Sequence, residues 1–275
     1  MKRLLAILLV CVSVFSVLSV SASASSGVSV YIGESKFTGG VRVTNETTYV
    51  GIRRFATSLD PSAKVSYNYS TRTLTIKTSK LSITCRDGDY YINSNGRYFY
   101  FDKPIYMSGG VMYAPILSLY KAFGASIRWD NGIHGFVVTK GSGSVTSGDS
   151  FYREDEVYWL ARIINAESRG EPLRGKIAVG NVILNRVKSR SFPNTIYGVI
   201  FDRKYGVQFS PVANGTIYNV PTAESIIAAK ICLEGYSISD KILYFVNPKK
   251  APNSWISKNG TLITTIGNHS FYTLK

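Results

Sequence analysis

The chain has 275 residues, of which 45% are hydrophobic, and a mean hydropathy close to zero, which is enough apolar material for one or two packed cores and too much for a disordered polymer. Its 32 Lys and Arg against 17 Asp and Glu give a formal charge of +15, spread along the sequence without a long basic block. That balance points to an anionic polymer as partner, either a bacterial wall with its teichoic acids or a nucleic acid.

Met1-Lys2-Arg3 precedes an apolar run from Leu4 to Val20 and then Ser21-Ala22-Ser23-Ala24-Ser25. Basic, apolar and small-residue stretches in that order read as a secretory signal over residues 1–24, cleaved after Ala24. At 17 residues the run also reaches the lower limit for a spanning helix, so an uncleaved anchor is the alternative; the small residues at its end favour cleavage. Cys11 is a poor lipoprotein site, because Leu8-Leu9-Val10 lacks the small residue such a site needs. No other stretch is apolar enough to span a bilayer, so the mature chain is expected outside the cytoplasm with no membrane association. Losing Lys2 and Arg3 takes the charge from +15 to +13, and export argues against nucleic acid as the partner. Cys85 and Cys232 remain in the mature chain, expected as two buried, inert thiols.

Residues 25–140 are rich in Tyr, Thr, Val and Ile with turn residues at short intervals, a strand-rich texture. They contain an internal repeat. Thr48 to Phe55, Ala63 to Tyr67 and Leu74 to Ile76 recur as Met112 to Leu119, Ala125 to Trp129 and Phe136 to Val138. The offset is 64 residues at the start and 62 at the end, with the difference absorbed by a longer turn around Asp60-Pro61. Each copy predicts a strand, a short helix, a strand, a turn and a strand. The module resembles the copper amine oxidase N-terminal-like domain, in which Ala114-Pro115-Ile116-Leu117 keeps the usual proline and Val50-Gly51-Ile52-Arg53 keeps the usual arginine. Copper is not implied, because His134, read as a loop residue, is the only histidine in this half. Wall attachment or plain spacing would suit the module equally.

The segment 141–150 is almost wholly Gly and small polar residues and reads as a flexible tether. Beyond it, residues 151–275 form a second domain with longer helical patterns. Val157, Leu160, Ala161 and Ile164 follow three-four spacing and predict an amphipathic helix from Arg153 to about Ser168. Gly170 then breaks the chain, Glu171 is placed to cap, and Pro172 suits a first helical position, so a second helix is expected from Leu173 to about Lys188. Its Ala178 and Gly180 allow close packing on the first, and Asn185-Arg186 are expected to tie it to its neighbours. A third helix from Ala223 to about Leu233 and strands over Ile242–Val246 and Ile263–Ile266 complete the reading.

Composition limits the chemistry of this half. A zinc amidase needs two or three clustered ligands, and residues 151–275 offer one histidine, His269. Cys232 lies in an apolar helical run, a poor setting for a reactive thiolate. A Gly-x-Ser-x-Gly elbow does not occur. Glycosidic cleavage asks for less, a carboxylic acid kept protonated near neutral pH. Glu167, in Asn165-Ala166-Glu167-Ser168 after the apolar face of the first helix, would have its pKa raised by desolvation and by the helix dipole. An exposed helix-end carboxylate is the other reading of the same residue.

Several motifs, in one order, give residues 158–272 a resemblance to the SleB/CwlJ family of cell-wall hydrolases. They are Leu160 to Pro172, Gly175 to Val187, Phe192-Pro193, Gln208 to Pro211, Leu243 to Pro248 and Thr265 to Tyr272. The resemblance implies an α+β, two-domain chain: a strand-rich N-terminal repeat module and a mainly helical, lysozyme- and lytic-transglycosylase-like C-terminal domain with a small sheet. It implies peptidoglycan of the vegetative wall or spore cortex as partner, no cofactor and no metal, and action as a secreted monomer. Glu167 matches the family's catalytic acid. Ser168, Gln208, Ser210, Tyr244, Asn247, Trp255, Asn268, His269 and Tyr272 fall inside or beside the motifs and are assigned to the glycan cleft. His269 would serve equally as a strand-end histidine fixing local structure, and Tyr244 and Tyr272 as core aromatics. An N-acetylmuramoyl-L-alanine amidase and a non-catalytic wall-binding protein are the alternative functions.

Overall fold

The computed structural model describes residues 27–204 and 206–274; the expected secretory signal lies outside them. No helix among the described residues is long and apolar enough to cross a membrane.

The N-terminal half is built from the repeat. In the first copy Thr47–Gly51 leads into the helix Ile52–Leu59, then Lys64–Asn68 and Thr73–Lys77; in the second Val111–Pro115 leads into Ile116–Leu119, then Ser126–Asp130 and Gly135–Thr139. The leading strands of the two copies pair antiparallel, with Val50 opposite Ala114 and Tyr49 opposite Pro115, so the duplication joins along its own central seam. Each trailing hairpin then enters a different sheet. That of the first copy starts a five-stranded antiparallel meander ending at Arg97–Tyr100, and that of the second packs beside Ser29–Ile32 in parallel. Alternation along Thr73–Lys77 sends Leu74 and Ile76 inward, where they meet Phe55, Ile83 and Leu119 in one core. Cys85 belongs to that core, and burial pushes its thiol up to about 12.

The segment 141–150 does not behave as the tether its composition suggests. Val145 is buried in the N-terminal core, its carbonyl accepts from Asn95 Nδ2 at 2.9 Å, and Gly148 N donates to Asn95 O at 2.7 Å. Glycine serves close approach here rather than flexibility, since a Cβ on Gly148 would lie 2.5 Å from the Gly96 carbonyl. Ser147 caps the short helix Gly148–Phe151, and the chain passes straight into the second domain.

The two halves are joined by more than this crossing. Tyr100, at the end of the last meander strand, is buried in the C-terminal core with its ring 4.4 Å from that of Tyr236. Beside it Arg97 donates to both oxygens of Glu234, at 2.7 and 2.6 Å, and Tyr152 donates to the same carboxylate at 2.6 Å. The Glu234 side chain is 6% exposed and that of Arg97 17%, so the pair is desolvated.

Three long helices form the core of the C-terminal domain: Glu154–Ser168, Leu173–Lys188 and Ala223–Leu233 pack on one another in every pairing. They meet at Gly180, where a Cβ would lie 2.7 Å from Cys232 Sγ and 2.9 Å from Ile164 Cδ1. Polar ties fix the bundle. Asn165 Oδ1 accepts from Thr222 N and Ser225 Oγ, and the buried Lys176 ammonium donates to Glu224 at 2.6 Å. Asn185 Nδ2 donates to the Ser239 and Ile242 carbonyls, as the tie expected of Asn185-Arg186. Glu171 makes no cap. Its carboxylate instead accepts from Asn268 N at 2.9 Å and Asn268 Nδ2 at 3.0 Å, holding the turn between the strands Gly260–Ile266 and His269–Leu274. With Tyr244–Val246 these strands make a three-stranded antiparallel sheet against the helices.

Removing one partner of a buried pair strands the other charge, so Glu234→Ala is expected to cost about 3 kcal/mol in chemical denaturation of the full chain. The double variant Arg97→Met/Glu234→Leu should return to within about 1 kcal/mol of the parent. Equal losses in both would show that the charge pair does not carry the junction.

Candidate functional site

Three-four apolar spacing carries the Glu154–Ser168 helix to its end, and Glu167 therefore falls in the last turn beside the buried Ile163 and Ile164. No basic residue stands in that turn to offset the negative end of the helix dipole. The side chain is half-buried and makes no hydrogen bond or ion pair with any described residue. Burial pushes its carboxyl from the ordinary 4.5 up to about 7. A group with that pKa both gives and takes a proton near neutrality, which is what general acid and base catalysis requires.

Glu167 opens into a cleft of about 500 Å³ lined also by Arg186, residues 207–210, Ala213 and Phe245. One wall is helical, from the first and second helices; the other is the segment 207–214, where Phe209 immediately precedes the short helix Ser210–Asn214. Gln208 and Ser210, both singled out from the sequence, line this wall with Glu167. Arg186 and Phe245 were not assigned to the cleft by sequence. The Arg186 Nε donates to the Leu243 carbonyl at 2.8 Å, and its guanidinium sits 4.9, 5.2 and 5.0 Å from the ring centroids of Phe192, Phe209 and Tyr244. Its Nη1 is buried and finds no partner among the described residues. This aromatic cage holds the cation in place beside the cleft.

The other sequence-assigned residues are placed differently. Ser168 is buried, and its hydroxyl donates to the Ile164 carbonyl at 2.6 Å, so it is occupied within its own helix rather than offered to a ligand. Asn247 accepts from the backbone of Lys249 and Lys250 and closes a turn, while Asn268 is taken up by Glu171. Tyr272 is buried in the sheet opposite Tyr244, which excludes sugar stacking. Tyr244 acts on the cleft only through Arg186. His269 is buried, with its ring 5.3 Å from that of Phe245 and its Nδ1 unpartnered among the described residues; burial lowers its pKa. Trp255 is 61% exposed, beyond Tyr244 and outside the cleft lining. Among the described residues no group of three or more His, Cys, Asp or Glu side chains could share a metal ion.

Residues 170–272 match the family model described as Cell Wall Hydrolase, and residues 33–136 match that of the copper amine oxidase N-terminal domain. The spore cortex-lytic enzyme of Bacillus cereus is 40% identical over 120 residues, covering 44% of this chain and 45% of that protein. That of Bacillus subtilis (strain 168) is 37% identical over 120 residues, 44% of this chain and 38% of that protein. The chain thus spans less than half the length of these curated relatives. Among solved structures, the catalytic domain of the Bacillus cereus SleB protein is 39% identical, covering 44% of this chain and 92% of that one at a TM-score of 0.40. The catalytic domain of the germination-specific lytic transglycosylase SleB from Bacillus anthracis is also 39% identical, covering 47% and 100% at 0.41.

A carboxyl whose pKa is raised on folding costs nothing below pH 4.5, where folded and unfolded chains both hold the proton; the cost grows until pH 7 and is then constant. Glu167→Gln should therefore gain up to about 3 kcal/mol over the parent at pH 8 and lose that advantage at pH 4. Denaturation midpoints at the two pH values check this, and a pH-independent difference would contradict it.

Proposed function

The C-terminal domain belongs to the cell wall hydrolase family, and on that premise we propose that the chain is an exported peptidoglycan hydrolase that cuts glycan between N-acetylmuramic acid and N-acetylglucosamine as a lytic transglycosylase. Its substrate is peptidoglycan of the vegetative wall or the spore cortex, and it acts as a monomer. The observation that carries this reading is that Glu167 is the only carboxylate among the described residues lining the cleft, and that burial holds its pKa near 7.

Hydrolysis by the two-carboxylate route needs a second acid across the bond. Glu171, the nearest in sequence, is committed to Asn268. A single carboxyl suffices for transglycosylation. Glu167 gives its proton to the bridging oxygen as the glycosidic bond breaks. The resulting carboxylate then takes the proton of the muramoyl C6 hydroxyl, whose oxygen closes a 1,6-anhydro bond to C1. Glu167 ends protonated, as it began. Arg186, which lines the same cleft, adds a positive charge beside the bond to be cut. The rigid N-terminal junction supports a role for that domain in presenting the cleft to the wall at a set angle.

Mass spectrometry of digested sacculi tests the reading. The parent chain should release muropeptides with anhydromuramic ends, Glu167→Gln should lose at least about a hundredfold in rate, and the parent rate should fall as the pH rises through about 7. Free stem peptides would mark an amidase instead, and full activity in Glu167→Gln would overturn the assignment.

A further inference from the structure

The first helix of the C-terminal domain carries a cluster of rings in which Trp159 and Phe201 pack on the core while the tyrosines around them stay exposed. Trp159 is at its centre. Its ring is 4.9 Å from Tyr158, 5.3 Å from Tyr197, 5.1 Å from Phe201 and 6.3 Å from Tyr218, centroid to centroid. Tyr197 stacks on Phe201 at 4.5 Å. Three of these rings face solvent: Tyr158 is 43% exposed, Tyr197 53% and Tyr218 60%. The Arg162 guanidinium lies 3.6 Å from the Tyr158 centroid and gives the platform a fixed positive charge. An exposed aromatic patch of this kind marks a binding surface rather than a failure to fold.

Two strips of chain lead from the cleft to this platform. The Glu154–Ser168 helix carries Glu167 near one end and Trp159 eight residues earlier, about 12 Å along its axis. The other strip runs through Ser210 and Ala213 in the cleft wall, turns at Gly215, and reaches Tyr218 in the Thr216–Tyr218 turn that packs on the same helix. A polymer that followed these strips out of the cleft would reach the platform.

We infer that Trp159, Tyr197 and Tyr218 form an outer subsite that stacks on sugar rings of the glycan strand beyond the bond held at Glu167. The inference rests on the glycan reading of the cleft. Pyranose rings present C–H faces that fit aromatic planes and hydroxyls that suit phenol groups, a match that tyrosines make and aliphatic residues do not. The charge complements the carboxylates of muramic side chains and stem peptides.

The test measures binding, not turnover, with the full chain carrying Glu167→Gln so that no strand is cut. Peptide-free glycan fragments of four and of ten or more sugars are titrated calorimetrically into this protein and into the same protein with Tyr197→Ala and Tyr218→Ala added. Both tyrosines are exposed, and circular dichroism melting confirms that the added changes leave the fold in place. Without them, affinity should rise on lengthening the fragment; with them, most of that gain should vanish, a loss of about tenfold for the long fragment. Equal loss on short and long fragments, or no loss on either, overturns the outer subsite. Loss of binding to phosphatidylglycerol vesicles with glycan binding unchanged would assign the patch to a membrane surface, and also overturns it. Failure of the glycan reading shows separately, as an active parent chain that releases no muropeptide from sacculi.

Discussion

Burying the Glu167 carboxyl beside the apolar face of its own helix withdraws it from the water that would stabilise its charge, and the chemistry proposed for the cleft depends on that withdrawal. Two effects act in the same direction there. The helix dipole opposes a negative charge in the last turn by less than about 1 kcal/mol at a partly exposed site. A rise from 4.5 to about 7 corresponds to about 3 kcal/mol, so desolvation is the larger effect. A substitution that opened the cleft to solvent would thus change the acid more than one that altered the helix end.

Such a strained acid has to sit on a frame that does not relax around it. The three helices of the C-terminal domain meet at Gly180, where no larger side chain fits, and their ends are fastened by Asn165, Lys176 and Asn185 to the chain segments between them. Arg186 extends this frame into the cleft: its Nε is spent on the Leu243 carbonyl, and three aromatic rings hold the guanidinium where it stands. The same economy operates at the junction of the domains. Arg97, Tyr152 and Glu234 form one buried polar unit flanked by Tyr100, which ties the N-terminal module to the C-terminal half.

Much of the fold was legible in the sequence because its signals are local. Three-four spacing located the helices, with Leu173–Lys188 and Ala223–Leu233 observed at the bounds expected from pattern and breaker residues. The repeat predicted its strands and short helices, since each copy shows the same alternation. The errors arose where the outcome depends on a distant partner. Glycine at position 148 looked like flexibility, but its role is set by Gly96, far away in sequence. Glu171 looked like a cap because Pro172 follows it, whereas Asn268 claims it from the sheet turn. Glu167, Gln208 and Ser210 line one cleft, whereas Ser168, Asn247, Asn268 and Tyr272 are spent on local bonds or buried packing. The place of Arg186 in the cleft is not legible locally, because its aromatic cage is assembled from three separate segments.

Burial within the fold, before any substrate arrives, keeps a proton on Glu167 near neutral pH. A carbon-13 titration of the glutamate side-chain carboxyls in the full chain measures this directly, with the Glu167 resonance identified by its loss in Glu167→Gln. The expected midpoint is near 7. A midpoint near the ordinary 4.5 would contradict it.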